Sequence, residues 1–268
     1  MLRNLVVAGM ILPLVLPIAA HGFVTHVTPN LDDPALNACL EELKTINQIE
    51  QQVAFATFSG PQSTGTSAVE IFWKRFTQQD SRVLVEVDAP PARRGVKLLV
   101  LEADQSPPGL HMYLPELRSV RRITGKTLHG ALLGTDFNYE DFLHLYGLSA
   151  DATLQKQADE RVAERDVFVT DVLPGDEDSG YSKIRSFIDQ QWCVPLRVEF
   201  YAKDTSLRKV LDVSPDEVVL VNEHHVPMAF QMHDLEQDTR TKARIESIEI
   251  NEPVKDSMFS LSHLRSGH

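Results

Sequence analysis

The fold is decided by one stretch of the sequence, Gly109–Gly147, which runs GLHMYLPELRSVRRITGKTLHGALLGTDFNYEDFLHLYG. Within it, Leu110–Leu114 alternates apolar and amphipathic residues, and Pro115 closes the segment because proline cannot donate to a strand ladder. Leu117–Thr124 then has the composition of a return strand. The short connection between the two segments predicts an antiparallel hairpin.

A short helix is predicted at the end of the same stretch. Asn138 is a favourable N-cap residue, and Asp141, three positions later, completes a capping box. Phe137 and Phe142 are spaced to close over the first turn as a hydrophobic staple. Gly147 is expected to end the helix.

Outward from this stretch, the chain contains many short segments of strand character. Val69, Ile71 and Trp73 fall on one face of a strand, and Val96–Leu101 is nearly all apolar. Short turns rather than helical crossovers link these segments, which favours antiparallel pairing. The whole chain predicts about ten or eleven strands, more than an open twisted sheet carries comfortably without curling.

Two other segments have helical patterns. Asp33–Asn47 has an apolar stripe, with Asp33 as its cap and Pro34 at the first helical position. Leu154–Arg165 favours a helix by propensity, whereas the valines that follow it favour a strand. We therefore predict a mainly β (α+β) fold: a strongly curved antiparallel sheet that forms a half-open barrel, with a few helices on its concave side. No interior linker is found, so residues 23–268 are expected to form a single domain.

Four motifs in the central stretch resemble the LolA-like family of outer membrane lipoprotein-sorting proteins. They are Tyr113-Leu114-Pro115, Arg121-Arg122, Gly134-Thr135-Asp136-Phe137 and Tyr139-Glu140-Asp141. The order of segments downstream fits the same family, so the resemblance spans roughly residues 66–265. It implies a periplasmic protein with a half-open antiparallel barrel wrapped over helices, which carries acyl chains, lipids or lipoproteins. It also implies an inner-membrane transporter as partner.

The N-terminus has the pattern of a secretory signal peptide. A short positive region precedes the apolar run Leu5–Ala20, and small residues allow cleavage after Gly22 or after Ala20. A membrane-spanning helix is the alternative, but such a helix tolerates the paired prolines Pro13 and Pro17 poorly. Residues 1–22 are therefore expected to be removed and the mature chain to be periplasmic.

Composition and motifs exclude several functions. The formal net charge of −12 argues against a nucleic-acid partner, because phosphate binding requires a basic surface. Motifs of hydrolases, nucleotide-binding proteins and metalloproteases are missing, so neither an enzyme nor a cofactor is expected. His224 and His225 are adjacent, so on a strand they face opposite sides and are not expected to share a metal ion. Cys39 and Cys193 either form a disulfide in an oxidising compartment or are two separately buried thiols.

A carrier of this shape would bind its cargo with the inward residues of alternate strand positions. Ordinary core packing is the alternative role for the same side chains. The residues predicted to line the cavity are Val69, Ile71, Trp73, Val85, Leu98, Met112, Leu114, Met228 and Phe230.

Arg121 and Arg122 are predicted to have a structural or switching role. Neighbouring residues of a strand point to opposite faces, so one of the two arginines must face inward. Near Asp136 or Asp141, that arginine would form an ion pair that pins the helix to the sheet. The alternatives are binding of a lipid headgroup and switching of a lid between closed and open states.

These observations support a carrier that holds an acyl chain or another hydrophobic cargo without covalent chemistry. One alternative is an adaptor of a membrane transporter, whose barrel is filled by its own side chains. Another is a hydrolase or isomerase that uses Asp136 with a neighbouring arginine.

Overall fold

A computed structural model describes residues 33–77, 80–103, 106–146 and 152–266. The predicted signal peptide, residues 1–22, and the predicted helix end at Gly147 lie outside these ranges. Within them, no helix has the length and apolar character needed to cross a membrane.

The described residues form sixteen strands. These are β1 Gln48–Ser59, β2 Gln62–Arg75, β3 Ser81–Ala89, β4 Lys97–Ala103, β5 Ser106–Leu114, β6 Ser119–Ile123, β7 Thr153–Lys156, β8 Glu160–Val162, β9 Arg165–Leu173, β10 Tyr181–Asp189, β11 Pro195–Ala202, β12 Leu207–Asp212, β13 Val218–Val221, β14 His224–Pro227, β15 Ala229–Asp234 and β16 Thr239–Ile250.

Fourteen of these strands form one antiparallel sheet. Its order is β6, β5, β4, β3, β2, β1, β16, β15, β12, β11, β10, β9, β7, and β8 also pairs with β9. The hairpin β13–β14 stands apart as a two-stranded sheet. Strands β6 and β7 lie at the two ends of the order, so the large curved sheet is not closed. The predicted antiparallel half-open barrel is confirmed.

The predicted number of strands was too low, and one predicted helix was wrong. Leu154–Arg165 contains β7, β8 and a tight turn instead of a helix. Both short strands pair with β9, and this pairing overrides the local helical propensity. The segment Ser59–Gly65, although rich in Ser, Gly and Pro, is also largely strand, because β1 turns directly into β2 at Gly60.

Three α-helices accompany the sheet: α1 Pro34–Leu43, α2 Tyr139–Leu145 and α3 Leu261–Arg265. The Asp33 side chain accepts hydrogen bonds from the backbone at the start of α1, as predicted. A disulfide joins Cys39 of α1 to Cys193 in the turn between β10 and β11, which decides between the two alternatives for the cysteines.

Both faces of the first half of the sheet are buried. Val83 and Val85 face the large core on the concave side, whereas Leu84 between them faces a second, smaller core. Phe259 and Leu264 of the C-terminal segment complete that smaller core, and α3 lies against β4, β5 and β6. Strands buried on both faces need continuous apolar runs, which explains the sequence of Val96–Leu101.

Candidate functional site

The concave side of the half-barrel is occupied by the segment that links its two edge strands. This segment leaves β6, passes through α2 and returns to β7, and all seven residues of α2 are buried. The capping box that starts α2 is formed as predicted: the Asn138 side chain accepts from the Asp141 N–H, and the Asp141 carboxylate accepts from the Asn138 N–H. Local sequence therefore starts the helix, and the sheet encloses it.

A small apolar cavity lies between this segment and the concave face of the sheet. Its volume is about 20 Å³. That is room for about one water molecule, whereas pockets for small molecules hold about 300–1,000 Å³. Nine of its ten lining residues are apolar; the ten are Phe55, Val69, Ile71, Val85, Leu132, Leu133, Thr135, Phe137, Phe142 and Leu145.

The loop over this cavity, residues 131–137, is attached to the sheet at a few points. The Asp136 carboxylate accepts hydrogen bonds from the hydroxyls of Thr239 and Thr241 on β16, the latter at 2.6 Å. The Arg93 guanidinium, in the turn between β3 and β4, donates to the carbonyl of Leu133. We call the Asp136 and Arg93 contacts the loop latches.

A buried ion pair holds α2 against the second half of the sheet. The Lys209 ammonium on β12 lies 2.7 Å from the Asp141 carboxylate, and both side chains are at most 3% exposed. The Tyr181 hydroxyl donates to the same carboxylate. Burial, together with the negative charge of Asp141, raises the pKa of Tyr181 well above its usual value, so this hydroxyl stays protonated and acts as a donor.

A second polar cluster surrounds Glu140, the neighbour of Asp141 on α2. Its carboxylate lies 3.0 Å from the His129 Nδ1 and 3.6 Å from the His144 Nε2. It also accepts hydrogen bonds from the Ser179 hydroxyl and the Gly180 N–H. Burial alone would raise the pKa of Glu140, but its interaction with His144 and the hydrogen bonds from Ser179 and Gly180 lower it to about 2.

A different opening lies over the central strands of the sheet. It is an open groove of about 770 Å³ that combines small residues, such as Ala54 and Ala229, with charged ones. Glu217 and Arg244 at this groove pair with each other at 3.1 Å. Phe55 and the predicted lining residue Phe230 also line this groove, so it places apolar side chains beside charged ones.

The comparisons with known proteins agree with this architecture. A family model described only as an uncharacterized protein matches residues 79–266. The chain belongs to this family. Among curated proteins, none matches its sequence.

Solved structures share the fold of this family member. An outer membrane lipoprotein-sorting protein domain from Vibrio parahaemolyticus is 21% identical, with a TM-score of 0.73 over 82% of this chain and 92% of that chain. A DUF1329 family protein from Desulfovibrio piger is 19% identical, with a TM-score of 0.78 over 86% and 97%. A LolA superfamily protein from Nitrosomonas europaea is 16% identical, with a TM-score of 0.67 over 85% and 98%. The LolA-like resemblance of the sequence is therefore confirmed, and at these identities it establishes the fold.

The structure places the predicted lining residues at different depths. Val69, Ile71 and Val85 line the small cavity. Trp73 and Leu98 are buried in the same core without lining the cavity. The other four predicted residues divide between two positions: Phe230, Met112 and Met228 pack in or against that core, and Leu114 is half-buried beside the turn at Pro115.

The predicted ion pair between an inward arginine and Asp136 or Asp141 is wrong, whereas binding of a headgroup by Arg121 or Arg122 stays a prediction. Arg121 and Arg122 are both exposed on β6, and the cation beside Asp141 is Lys209. Arg121 does share a face with Met112, but β6 is the edge of the sheet and its side chains reach solvent. Lys209 was not identified from the sequence, although it lies two positions before the core residue Leu211 on β12 and therefore shares its inward face.

The hydrolase or isomerase alternative requires an arginine beside Asp136. No arginine accompanies Asp136 among the partners that the structure describes; those partners are threonines. No group of three or more His, Cys, Asp or Glu side chains in the described ranges has the geometry of a metal site. The concave side combines a small apolar cavity with a loop and a helix, α2, that polar contacts hold against the sheet.

Proposed function

We propose that this chain is a periplasmic carrier that binds an acyl chain of a lipid or lipoprotein inside its half-barrel. It would transfer this cargo between inner-membrane machinery and the outer membrane, without an enzymatic step. The observation that carries the proposal is the apolar lining of the interior cavity, nine of whose ten residues are hydrocarbon or aromatic. The shared fold with a lipoprotein-sorting domain supports the same assignment.

Binding requires the loop over residues 131–137 to move, because the cavity of about 20 Å³ is far too small for a hydrocarbon chain. Four lining residues, Leu132, Leu133, Thr135 and Phe137, belong to this loop and would be displaced together. Strands β6 and β7 are not paired with each other, so the half-barrel can widen without losing ladder hydrogen bonds.

The energies allow this exchange. Releasing Asp136 removes two hydrogen bonds to a charged group, which costs about 3–6 kcal/mol. Burying about ten methylene groups contributes roughly 8 kcal/mol. An acyl chain of about this length therefore contributes more than the release of the Asp136 side chain costs.

Two measurements on the purified protein test the proposal. Organic extraction followed by mass spectrometry should find a bound lipid, and the protein should take up a fluorescent long-chain fatty acid. Asp136→Asn weakens the latch and should speed this uptake, whereas the matched surface variant Asp176→Asn should not. A protein with no extractable lipid and no uptake in any variant would refute the carrier.

A transporter adaptor with a filled barrel is the second candidate, and the small size of the cavity favours it. It predicts that neither the natural protein nor Asp136→Asn takes up the fatty acid. It also predicts that the protein co-purifies with a membrane transporter through its surface, independently of residues such as Val69 and Ile71. The fatty-acid assay therefore separates the two candidates directly.

The location of the protein is part of the proposal. The pattern of residues 1–22 supports export and cleavage, with Phe23 as the new N-terminus. N-terminal sequencing of the protein from a periplasmic extract tests this, and an intact Met1 in a membrane fraction would contradict it.

A further inference from the structure

Edge strand β6 combines a bare backbone edge with an unusual concentration of positive charge. It is the last strand in the order of the sheet, paired on one side with β5. On its other side, no described strand supplies a partner, so its outward N–H and C=O groups are available to another chain. A strand in this position can be extended by an added strand.

Four cations lie on this edge or next to it: Arg118, Arg121, Arg122 and Lys126 are all exposed. None of the four forms an ion pair with another residue in the described ranges, in contrast to many cations elsewhere on the sheet. The whole chain carries a net charge of −12, so this edge is a local exception. We call these four residues the basic edge.

The cations of the basic edge lie on both faces of the strand. Arg121 is opposite Met112, whose side chain packs against the concave core, whereas Arg122 is opposite His111 on the other face. An added strand would therefore meet a positive charge with each of two consecutive side chains, because successive residues of a strand alternate between faces. Two adjacent acidic residues fit this arrangement.

Neighbouring elements extend the positive surface. The turn between β3 and β4 carries exposed Arg93 and Arg94. This turn lies close to the turn after β5, because a Cβ atom added to Gly95 would be only 3.4 Å from the Pro115 side chain. Exposed Arg265 belongs to α3, which contacts β6. One acidic side chain, Glu116, lies in the turn between β5 and β6, where it is exposed to solvent.

We propose that β6 is a docking strand for an extended, acidic segment of a partner protein, which joins the sheet by strand addition. Charged residues on an edge also prevent identical edges from pairing, since two basic edges repel each other. The same charges attract a complementary acidic strand, so the edge rejects a second copy of this chain and accepts an acidic partner. The exposed side chain of Leu117, in the adjoining turn, offers an apolar contact beside the strand.

An anionic lipid surface is the competing partner for a basic edge with an exposed leucine. The structure favours a protein segment, because the cations lie on both faces of one strand and flank unpaired backbone groups. A flat membrane surface would meet one face of the strand and would leave its backbone edge unused.

Peptide binding to the mature protein, residues 23–268, tests the proposal. The probe is a short synthetic strand-forming peptide with two adjacent glutamates, and the comparison peptide has glutamines in their place. The glutamate peptide should bind at least about tenfold more tightly at low salt, with the difference shrinking as salt is added. Methylation of alternate backbone nitrogens should abolish binding, because the methylated peptide keeps its charge but cannot complete the ladder.

Variants of the protein complete the test. Arg121→Gln with Arg122→Gln should weaken binding of the glutamate peptide about tenfold. Lys203→Gln with Lys255→Gln removes the same charge from exposed positions elsewhere and should leave the affinity unchanged. Equal affinity for both peptides, or full binding of the methylated peptide, would overturn strand addition. Binding to phosphatidylglycerol vesicles that Arg121 and Arg122 support, without peptide binding, would overturn it in favour of a lipid surface.

Discussion

The buried ion pair between Asp141 and Lys209 leads to the sharpest prediction about stability. The Lys209 ammonium is 2.7 Å from the carboxylate, and neither side chain is more than 3% exposed. Lys209→Met keeps an unbranched side chain, one atom shorter than lysine, and removes the charge. The Asp141 carboxylate is then left buried without a counter-charge, with the Tyr181 hydroxyl and the Asn138 N–H as donors. Breaking one side of a buried pair costs about 3–5 kcal/mol.

The assay is urea unfolding of the mature protein at neutral pH, followed by circular dichroism. Lys209→Met should lower the free energy of unfolding by about 3–5 kcal/mol with an unchanged m-value, which is a fall in Tm of roughly 10 °C. The double variant Lys209→Met/Asp141→Asn should be less destabilised than the sum of the two single changes, because no unpaired charge remains. Additive losses, or a loss below about 1 kcal/mol in Lys209→Met, would refute the assignment of this pair as the anchor of α2.

Three further predictions concern the acid limit, the disulfide and the cavity. Because the pKa of Glu140 falls from 4.5 to about 2 on folding, its contribution of about 3 kcal/mol is present above pH 4.5 and is lost as the pH falls towards 2. Glu140→Gln should flatten this loss in urea unfolding measured across the acid range, and an unchanged pH slope would contradict it. The bridge between Cys39 and Cys193 spans 154 positions, so its removal by paired Cys→Ser changes should cost about 4–5 kcal/mol, and an unaltered Tm would contradict this. Phe137→Ala should lower the free energy of unfolding by about 3–5 kcal/mol and increase uptake of a fluorescent fatty acid. Phe72→Ala, in the second, smaller core, should lower it by a similar amount without increasing uptake.

Local features of the fold were predictable because they depend on neighbours in the sequence. The capping box of Asn138 and Asp141, the end of a strand before Pro115 and the alternation of Val69, Ile71 and Trp73 all involve residues only a few positions apart. The helix predicted for Leu154–Arg165 failed for the opposite reason. Its residues became strands because β9, a neighbour that only the folded sheet supplies, offered them hydrogen bonds.

The candidate site depended on distances that no local pattern contains. The alternation of a strand predicted an inward Arg121 or Arg122 near Asp136 or Asp141, but the sheet puts Lys209, 68 positions away, beside Asp141. The size of the cavity was equally inaccessible, because it depends on how far Phe137 and its loop enter the half-barrel.

By itself, the sequence determined the alternation of apolar residues, the turns and the helix caps, and with them a mainly antiparallel sheet that has to curl. These features follow from contacts between near neighbours, whose geometry is the same in any fold. Only the tertiary structure decided that Cys39 meets Cys193, that Lys209 neutralises Asp141 and that the interior is closed around a cavity of about 20 Å³. Each of these depends on bringing distant parts of the chain together, and that placement is set by the packing of the whole sheet.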